Sequence, residues 1–410
     1  MSNFIYFSEK IPVRGEYDII AAGGGVAGIS AAVSAARDGK KVLLIEKSVK
    51  LGGLATLGLI NYYEPLCNGR GKMIMTGMAE ELLKLSIKYG YDTLPDEWRE
   101  SYPENVTPKR YQTHYSADIF ALTLTELLIH EGVEILFDTV VSAPVMSGKH
   151  CDGLILESKS GREFCRGKMI IDTTGDGDIL YRAGIPTIQG KNYFTYIGRQ
   201  INLDSCRKAV ESGKINNAYM NITGGNSTLY GKGHPEGMRY FTGTTADEVT
   251  DYLIQNHLLM LDKIKNTDRW SREIVQLPGM AQFRETRCID GDYTLKESDA
   301  YRHFDDSVGA ICDFDRRDYL FEIPYGCLIK SGFDNIITAG RSAAGEGYAW
   351  DVLRVIPPAA ASGQAAGIAA SRAISDNCRI DTLDIGKLQK ALTKSDITIH
   401  FDDTLIPSGL

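Results

Sequence analysis

The stretch AAGGGVAGIS, residues 21–30, sets three consecutive glycines between an apolar run and an alanine-rich one. Before it, Tyr17–Ala21 reads as a buried strand. After it, Val26–Asp38 reads as a helix whose Ala27, Ala31, Ala32 and Ala35 permit close packing on a sheet. Gly39 suits the helix C-terminus, and Val42–Ile45 is a second buried strand, which completes a β-α-β unit. The uncharged run Ile19–Ala36 approaches the length of a membrane span. Its glycines and its immediate flanks, Asp18 and Arg37, favour a strand, a turn and a helix, so no membrane partner is expected.

Within this unit, Gly23-x-Gly25-x-x-Gly28 has the spacing of a dinucleotide phosphate loop. Gly23 makes the tight turn, Gly25 lets the backbone approach a pyrophosphate, and Gly28 brings helix and strand together. The helix begins at Val26 and Ala27, where free N–H groups and the positive end of the helix dipole favour an anion. Glu46 ends the second strand. A carboxylate there accepts bonds from ribose hydroxyls and repels a 2′-phosphate, which leaves NAD or FAD.

Further motifs separate the two. Residues 46–56, EKSVKLGGLAT, resemble the segment after the ribose-binding acid in FAD enzymes of the glutathione-reductase-type fold. IIDTTGDGDILYRAG (170–184) is similar to the strand and turn that those flavoproteins place beside the cofactor. DNIITAGRSAAGEGYAWDVLRVIPPAAASGQAAG (334–367) resembles their closing segment, and FRETRCIDGDYTL (283–295) a piece of a large bacterial FAD-dependent oxidoreductase family. The resemblance implies noncovalent FAD. It extends the cofactor site from Gly23, Gly25, Val26, Ala27, Gly28 and Glu46 to Lys47, Gly52, Gly53, Leu54, Ala55 and Val140. Thr174, Gly175, Asp176, Gly340, Arg341, Arg354, Val355, Pro358 and Ala359 complete it. No His or Cys lies between Glu46 and Thr56 to attach a flavin covalently, and no Cys pair follows Gly52-Gly53 for disulfide reduction. A second glycine fingerprint for a nicotinamide domain is also missing.

The expected fold is α/β: a Rossmann-like FAD-binding domain, with a parallel sheet, helices and a β-meander crossover, and an inserted α+β substrate domain. Helical patterns run over Met73–Tyr89 and Ala117–His130, strands over 132–137, 151–158 and 162–171, and a small-residue helix over Pro357–Arg372. Residues 190–300 lose the strand–helix alternation. The cofactor domain is therefore discontinuous, over 1–62, 115–186 and 323–410, with 63–114 and 187–322 inserted. Asp172, Asp176 and Asp178 could suggest a calcium loop, but no closing Glu follows. Asp178 reads instead as a helix N-cap, and no metal is expected.

Composition bounds the function. The 410 residues are 43% hydrophobic and carry a net charge of −8, which argues against a nucleic-acid or anionic-membrane partner. Eight cysteines, scattered without C-x-x-C, suggest free thiols in a reducing compartment, and the N-terminus shows no export signal. The expectation is a cytoplasmic oxidoreductase moving a hydride between flavin N5 and a small, anionic or polyhydroxylated molecule, with an unidentified electron donor or acceptor as partner. The alternatives are fumarate-reductase-like reduction of an activated alkene, or a flavin-binding subunit of an electron-transfer or RNA-modifying assembly.

Candidate catalytic groups are Arg284 and Arg287, whose planar forks suit a carboxylate, and His114 and His303 for proton transfer. Strand alternation would put Arg284 and Thr286 on one face and Glu285 and Arg287 on the other. Glu285 is a possible partner of these arginines, and Glu346 or Asp351 of Arg341 and Arg354. Tyr62, Tyr63 and Tyr348 are candidates to line a pocket.

Overall fold

A computed structural model describes residues 7–408. The outermost residues of the expected cofactor domain, 1–6 and 409–410, lie outside that range. Strand β1 (Val13–Ala22), helix α1 (Val26–Arg37) and strand β2 (Val42–Ile45) form the β-α-β unit. Helix α2 (Ala117–His130) leads to β3 (Glu134–Leu136), and a meander follows: β4 (Val140–Ser147), β5 (His150–Ser158) and β6 (Gly161–Asp172). After a long excursion the chain returns as β7 (Ile336–Thr338), helix α3 (Gly347–Arg354) and helix α4 (Ile356–Asp376).

One sheet gathers these seven strands in the order β3-β2-β1-β6-β5-β4, with β7 also pairing β6. Pairings among β3, β2, β1, β6 and β7 are parallel, whereas β4, β5 and β6 run antiparallel. Ile171 sits at the junction, in register with Ala21 on one side and Ile337 on the other. This is the Rossmann-type α/β arrangement the sequence implies. At β2, β7 and the C-terminal ends of β1 and β6 it is buried on both faces, so these stretches are continuous apolar runs, whereas the meander strands β4 and β5 are partly exposed.

Helix α1 lies against α4 at a distance only small residues allow. A Cβ added at Gly363 would stand 2.2 Å from the carbonyl oxygen of Ala27, and one at Gly367 would stand 2.3 Å from that of Ala31. The small face of α4 is therefore the contact that fixes the helix carrying the glycine loop.

Two sequence expectations shift. The helix expected over Met73–Tyr89 begins only at Met78, after Gly77 at φ +62°. Gln364 of α4 sets that start by accepting the Met78 N–H at 2.8 Å, a tertiary cap with no local signal. Residues 283–286 are not strand; a strand begins at Arg287 and ends at Ile289. Within 190–300, a three-stranded sheet (Thr195–Asn202, Met220–Asn226, Arg272–Gln276) is joined by the twenty-residue helix Ala246–Lys265.

Two cores follow. The smaller is built from Phe194, Tyr196, Ile222, Phe241, Tyr252, Met260 and Phe283. The larger holds the main sheet and also takes in Tyr63–Leu83 and Val308–Phe321, stretches the sequence reading assigns to the insertion. No helix among the described residues is long and apolar enough to cross a membrane.

Candidate functional site

A cavity of about 1100 Å³, counted out to its open mouth, runs along the C-terminal ends of the parallel strands. Such an edge, where strand order reverses beside a helix N-terminus, is where α/β sheets bind ligands. The glycine loop forms its floor. Gly23 (φ +112°) is pressed on the next strand's exit, where a Cβ would lie 2.2 Å from the Thr173 carbonyl oxygen. Gly28 faces Gly23 so closely that a Cβ would meet its carbonyl oxygen at 1.9 Å. Gly25 differs, because a Cβ there would meet nothing within 4 Å and Gly25 lines the cavity. Its missing side chain keeps space open for a ligand.

Helix α1 has no capping side chain and no acid in its first turn, and Val26 and Ala27 line the cavity. Its uncapped N-terminus is suited to a phosphate. The Gly52-Gly53 loop runs beside the glycine loop, with the Gly52 N–H donating to the Gly24 carbonyl at 2.8 Å.

Glu46 is buried in the wall. Its Oε2 accepts the Gly24 N–H at 2.7 Å and its Oε1 the Ser48 N–H at 2.8 Å. The residue expected only to read a ribose thus also anchors the glycine loop. Each carboxylate oxygen keeps capacity for a further bond.

Beyond β6, the turn at 173–178 is organised by Asp172 rather than Asp178. The fully buried Asp172 carboxylate accepts the N–H groups of Thr174 at 3.0 Å and of Ile179 and Leu180 at 2.9 Å. Gly177 is the N-cap position and Asp178 the first helical residue, which corrects the expected cap. Asp172 reaches the orphan donors because it enters from the strand below.

Arg341, also in the cavity wall, donates through Nη2 to Asp176 Oδ1 at 2.7 Å and through Nη1 to the Phe283 carbonyl. Its partner is therefore Asp176, not Glu346 or Asp351. Arg354 does pair with Asp351, Nε to Oδ1 at 2.8 Å. Ile356 and Ala359 bring the start of α4 to the cavity. Behind it lies Glu64, buried, whose Oε2 accepts the Ile356 N–H at 3.3 Å. Burial pushes its carboxyl up to about 7, against weaker opposing pulls from backbone N–H groups and Arg354.

Of the expected cofactor residues, Gly23, Gly25, Val26, Ala27, Glu46, Lys47, Gly52, Gly53, Leu54 and Ala55 line this cavity, as do Val140, Thr174, Gly175, Gly340, Arg341, Arg354 and Ala359. Gly28, Asp176, Val355 and Pro358 are not in its lining. The first two serve packing and the Arg341 pair, while Val355 is the N-cap position of α4. Ile45, Leu57, Thr139, Val141, Thr173, Asp178, Met280, Ala339 and Ile356 complete the wall without having been expected. Most are chain neighbours of expected residues. Met280 is not; it arrives because the Gly279 N–H donates to the Leu57 carbonyl at 2.9 Å.

The expected catalytic groups are scattered. Arg287 is held by Asp178 at 3.1 Å, by the carbonyls of Asp176 and Thr244, and over the Tyr181 ring. Arg284 is different: its backbone N–H donates to Asn192, but its guanidinium has no carboxylate within ion-pair distance among the described residues. Burial lowers its pKa, and so does Arg354, while Asp351, Tyr252 and Glu285 oppose. Burial, and then Asp351, push the Glu285 carboxyl up to about 7. Arg284 and Glu285 are thus coupled electrostatically to Asp351 and Arg354; of the four only Arg354 lines the cavity, and Arg287 does not line it either.

The His114 ring lies 4.8 Å from that of Tyr62, tilted by 43°, and faces the Asn61 carbonyl, outside the cavity lining. Tyr63 donates to the Ala79 carbonyl inside the core, and Tyr348 to Asp313 Oδ1. His303 lies with Glu322 and Asp403, also outside the cavity lining.

A family model described as FAD dependent oxidoreductase matches residues 18–196 and 196–392. No curated protein matches the sequence. Among solved structures, a geranylgeranyl bacteriochlorophyll reductase-like protein from Thermoplasma acidophilum is similar at 15% identity and a TM-score of 0.45, over 93% of this chain and 84% of that one. A flavoprotein/dehydrogenase from Cytophaga hutchinsonii is similar at 12% identity and a TM-score of 0.44, over 92% and 83%.

Proposed function

The chain belongs to the FAD-dependent oxidoreductase family, and from that premise we propose that it moves a hydride between flavin N5 and a small anionic or polyhydroxylated molecule. FAD is held without a covalent bond in the cavity between Glu46 and Arg354. Bound there, it supplies a two-electron acceptor and donor. The protein's part is binding, orientation and the proton. Glu46 accepts from the adenosine ribose hydroxyls with the lone pairs left beside Gly24 and Ser48. Gly25, Gly52, Gly53 and the N-terminus of α1 meet the pyrophosphate. Leu54, Leu57 and Met280 exclude water from the far end. The start of α4 favours negative charge there, by ~0.3–1 kcal/mol.

Arg284 carries the substrate reading. A half-buried cation without a carboxylate partner among the described residues is costly unless a ligand supplies one. A substrate carboxylate suits its planar fork. Glu285, beside it in the chain, takes a substrate hydroxyl proton at its carboxylate oxygen, and a group titrating near neutrality is suited to that task.

The test is anaerobic bleaching of the bound flavin by a panel of hydroxy acids, amino acids, sugar acids and polyols beside their uncharged, deoxygenated analogues. Bleaching confined to the charged or polyhydroxylated members supports the reading. Bleaching only by apolar neutral compounds would overturn it.

A further inference from the structure

We propose that His303, Glu322 and His400 bind one divalent transition-metal ion, with zinc the best-suited occupant, at a site separate from the cavity. Glu322 lies on the strand Leu320–Pro324 and is fully buried. Its Oε2 accepts the Phe304 N–H at 2.8 Å. Its Oε1 faces two imidazoles, His303 Nδ1 at 2.5 Å and His400 Nδ1 at 3.0 Å. Three potential ligand atoms, from three separated parts of the chain, lie within 4.8 Å of one another.

The fourth residue identifies the chemistry. His303 Nε2 stands 2.7 Å from Asp403 Oδ1, so this imidazole has a carboxylate at each nitrogen. It can carry two protons, or it can hold a cation at Nδ1 and donate its Nε2 proton to Asp403. The second arrangement is the usual one for a metal-bound histidine, where an outer carboxylate fixes the tautomer. His400 favours it as well. Its Nδ1 is aimed at the same oxygen, and the two rings are 5.6 Å apart and nearly perpendicular. One divalent ion would take a lone pair from each of the three residues, the 2.5 Å His303–Glu322 contact opening as both become ligands. Two imidazoles and a carboxylate suit zinc with a fourth position left to water, and do not suit calcium or magnesium, which take oxygen ligands.

The side chains of His303 and His400 are 38% and 46% exposed, so an ion can enter. The site would tie the C-terminal segment, already bonded at Thr398 to Ala310 and at Ile399 to Ser307, to the strand pair 307–324.

The experiment uses the full-length, FAD-loaded protein, treated with a chelator and then dialysed against zinc or cobalt(II) chloride. One equivalent per chain should be retained and the unfolding temperature should rise. X-ray absorption should show nitrogen and oxygen at ~2.0–2.1 Å and no sulfur shell at ~2.3 Å. His400→Ala, a partly exposed position, should abolish the stoichiometric uptake and the temperature rise while FAD content stays unchanged. Asp403→Asn should weaken metal affinity ~10–100-fold. His130→Ala, at an exposed histidine elsewhere, should change neither. The proposal is overturned by a wild-type protein that keeps no metal, by a sulfur shell, or by a His400→Ala variant that binds like wild type.

Discussion

Arg287 and Asp178 are joined at 3.1 Å, and this contact separates Arg287 from Arg284, three residues earlier in the chain, which has no such partner among the described residues. The two arginines should therefore fail differently. Arg284→Ala should keep FAD and unfolding temperature but slow flavin reduction by substrate, by ~1.5–3 kcal/mol for a lost charged hydrogen bond. Arg287→Ala should lose ~1–3 kcal/mol of stability, because Asp178 and two carbonyls lose their donor. Thermal unfolding and stopped-flow reduction of both variants check this; identical behaviour of the pair would refute the division.

Gly25→Val should leave a folded protein without FAD, since the added side chain enters open cavity rather than neighbouring atoms. Gly363→Val should fail earlier, because its Cβ would collide with the Ala27 backbone. Flavin absorbance and circular dichroism separate the outcomes. A Gly25→Val protein with full FAD content would dismiss this loop as the pyrophosphate site. Glu46→Arg is a less clean probe than the sequence suggests, because Glu46 also holds the N–H groups of Gly24 and Ser48.

Glu64 should make stability fall with rising pH. Its carboxyl, raised from 4.5 to about 7 by burial, binds a proton more readily in the folded state than in the unfolded one. That contribution is complete below the unfolded value and is lost as pH rises through about 7. Glu64→Gln keeps an acceptor for the Ile356 N–H but cannot ionise. Its stability relative to wild type should therefore improve between about pH 5 and pH 8, by on the order of 2–3 kcal/mol. Denaturant melts across that range measure it, and a pH-independent difference counts against the assignment.

Gln364→Leu should cost ~1–3 kcal/mol per stranded group. The wild-type side chain accepts the Met78 N–H at 2.8 Å and donates to the Ser395 carbonyl at 2.9 Å, both in buried or half-buried surroundings. Calorimetry should show a lower unfolding temperature with FAD still bound at low temperature. An unchanged transition would mean that the helix Met78–Ile87 is not capped from α4.

Much of the cavity lining was legible because its determinants are consecutive residues. A tight turn, a close approach and a helix start must follow one another within a few positions, so Gly23, Gly25, Val26 and Ala27 announce themselves together. The Gly52-Gly53 segment likewise carries its own local signature. Met280 has none, and reaches the cavity beside Gly279, whose N–H bonds the Leu57 carbonyl.

By itself, then, the sequence determined the β-α-β unit and the α/β class, written in short-range spacing and apolar runs, while the family was implied by the resemblance of longer motifs at 46–56, 170–184, 283–295 and 334–367. Tertiary structure alone decided which charged group is free and which is satisfied. Asp178 occupies Arg287, Asp176 occupies Arg341, and Arg284 is left without a carboxylate at ion-pair distance among the described residues. It also placed His303 beside Glu322 and His400 rather than in the cavity. The physical reason is that a partner is chosen by distance in space and by burial. Residues a hundred positions apart become neighbours only when the sheet and its insertions have packed.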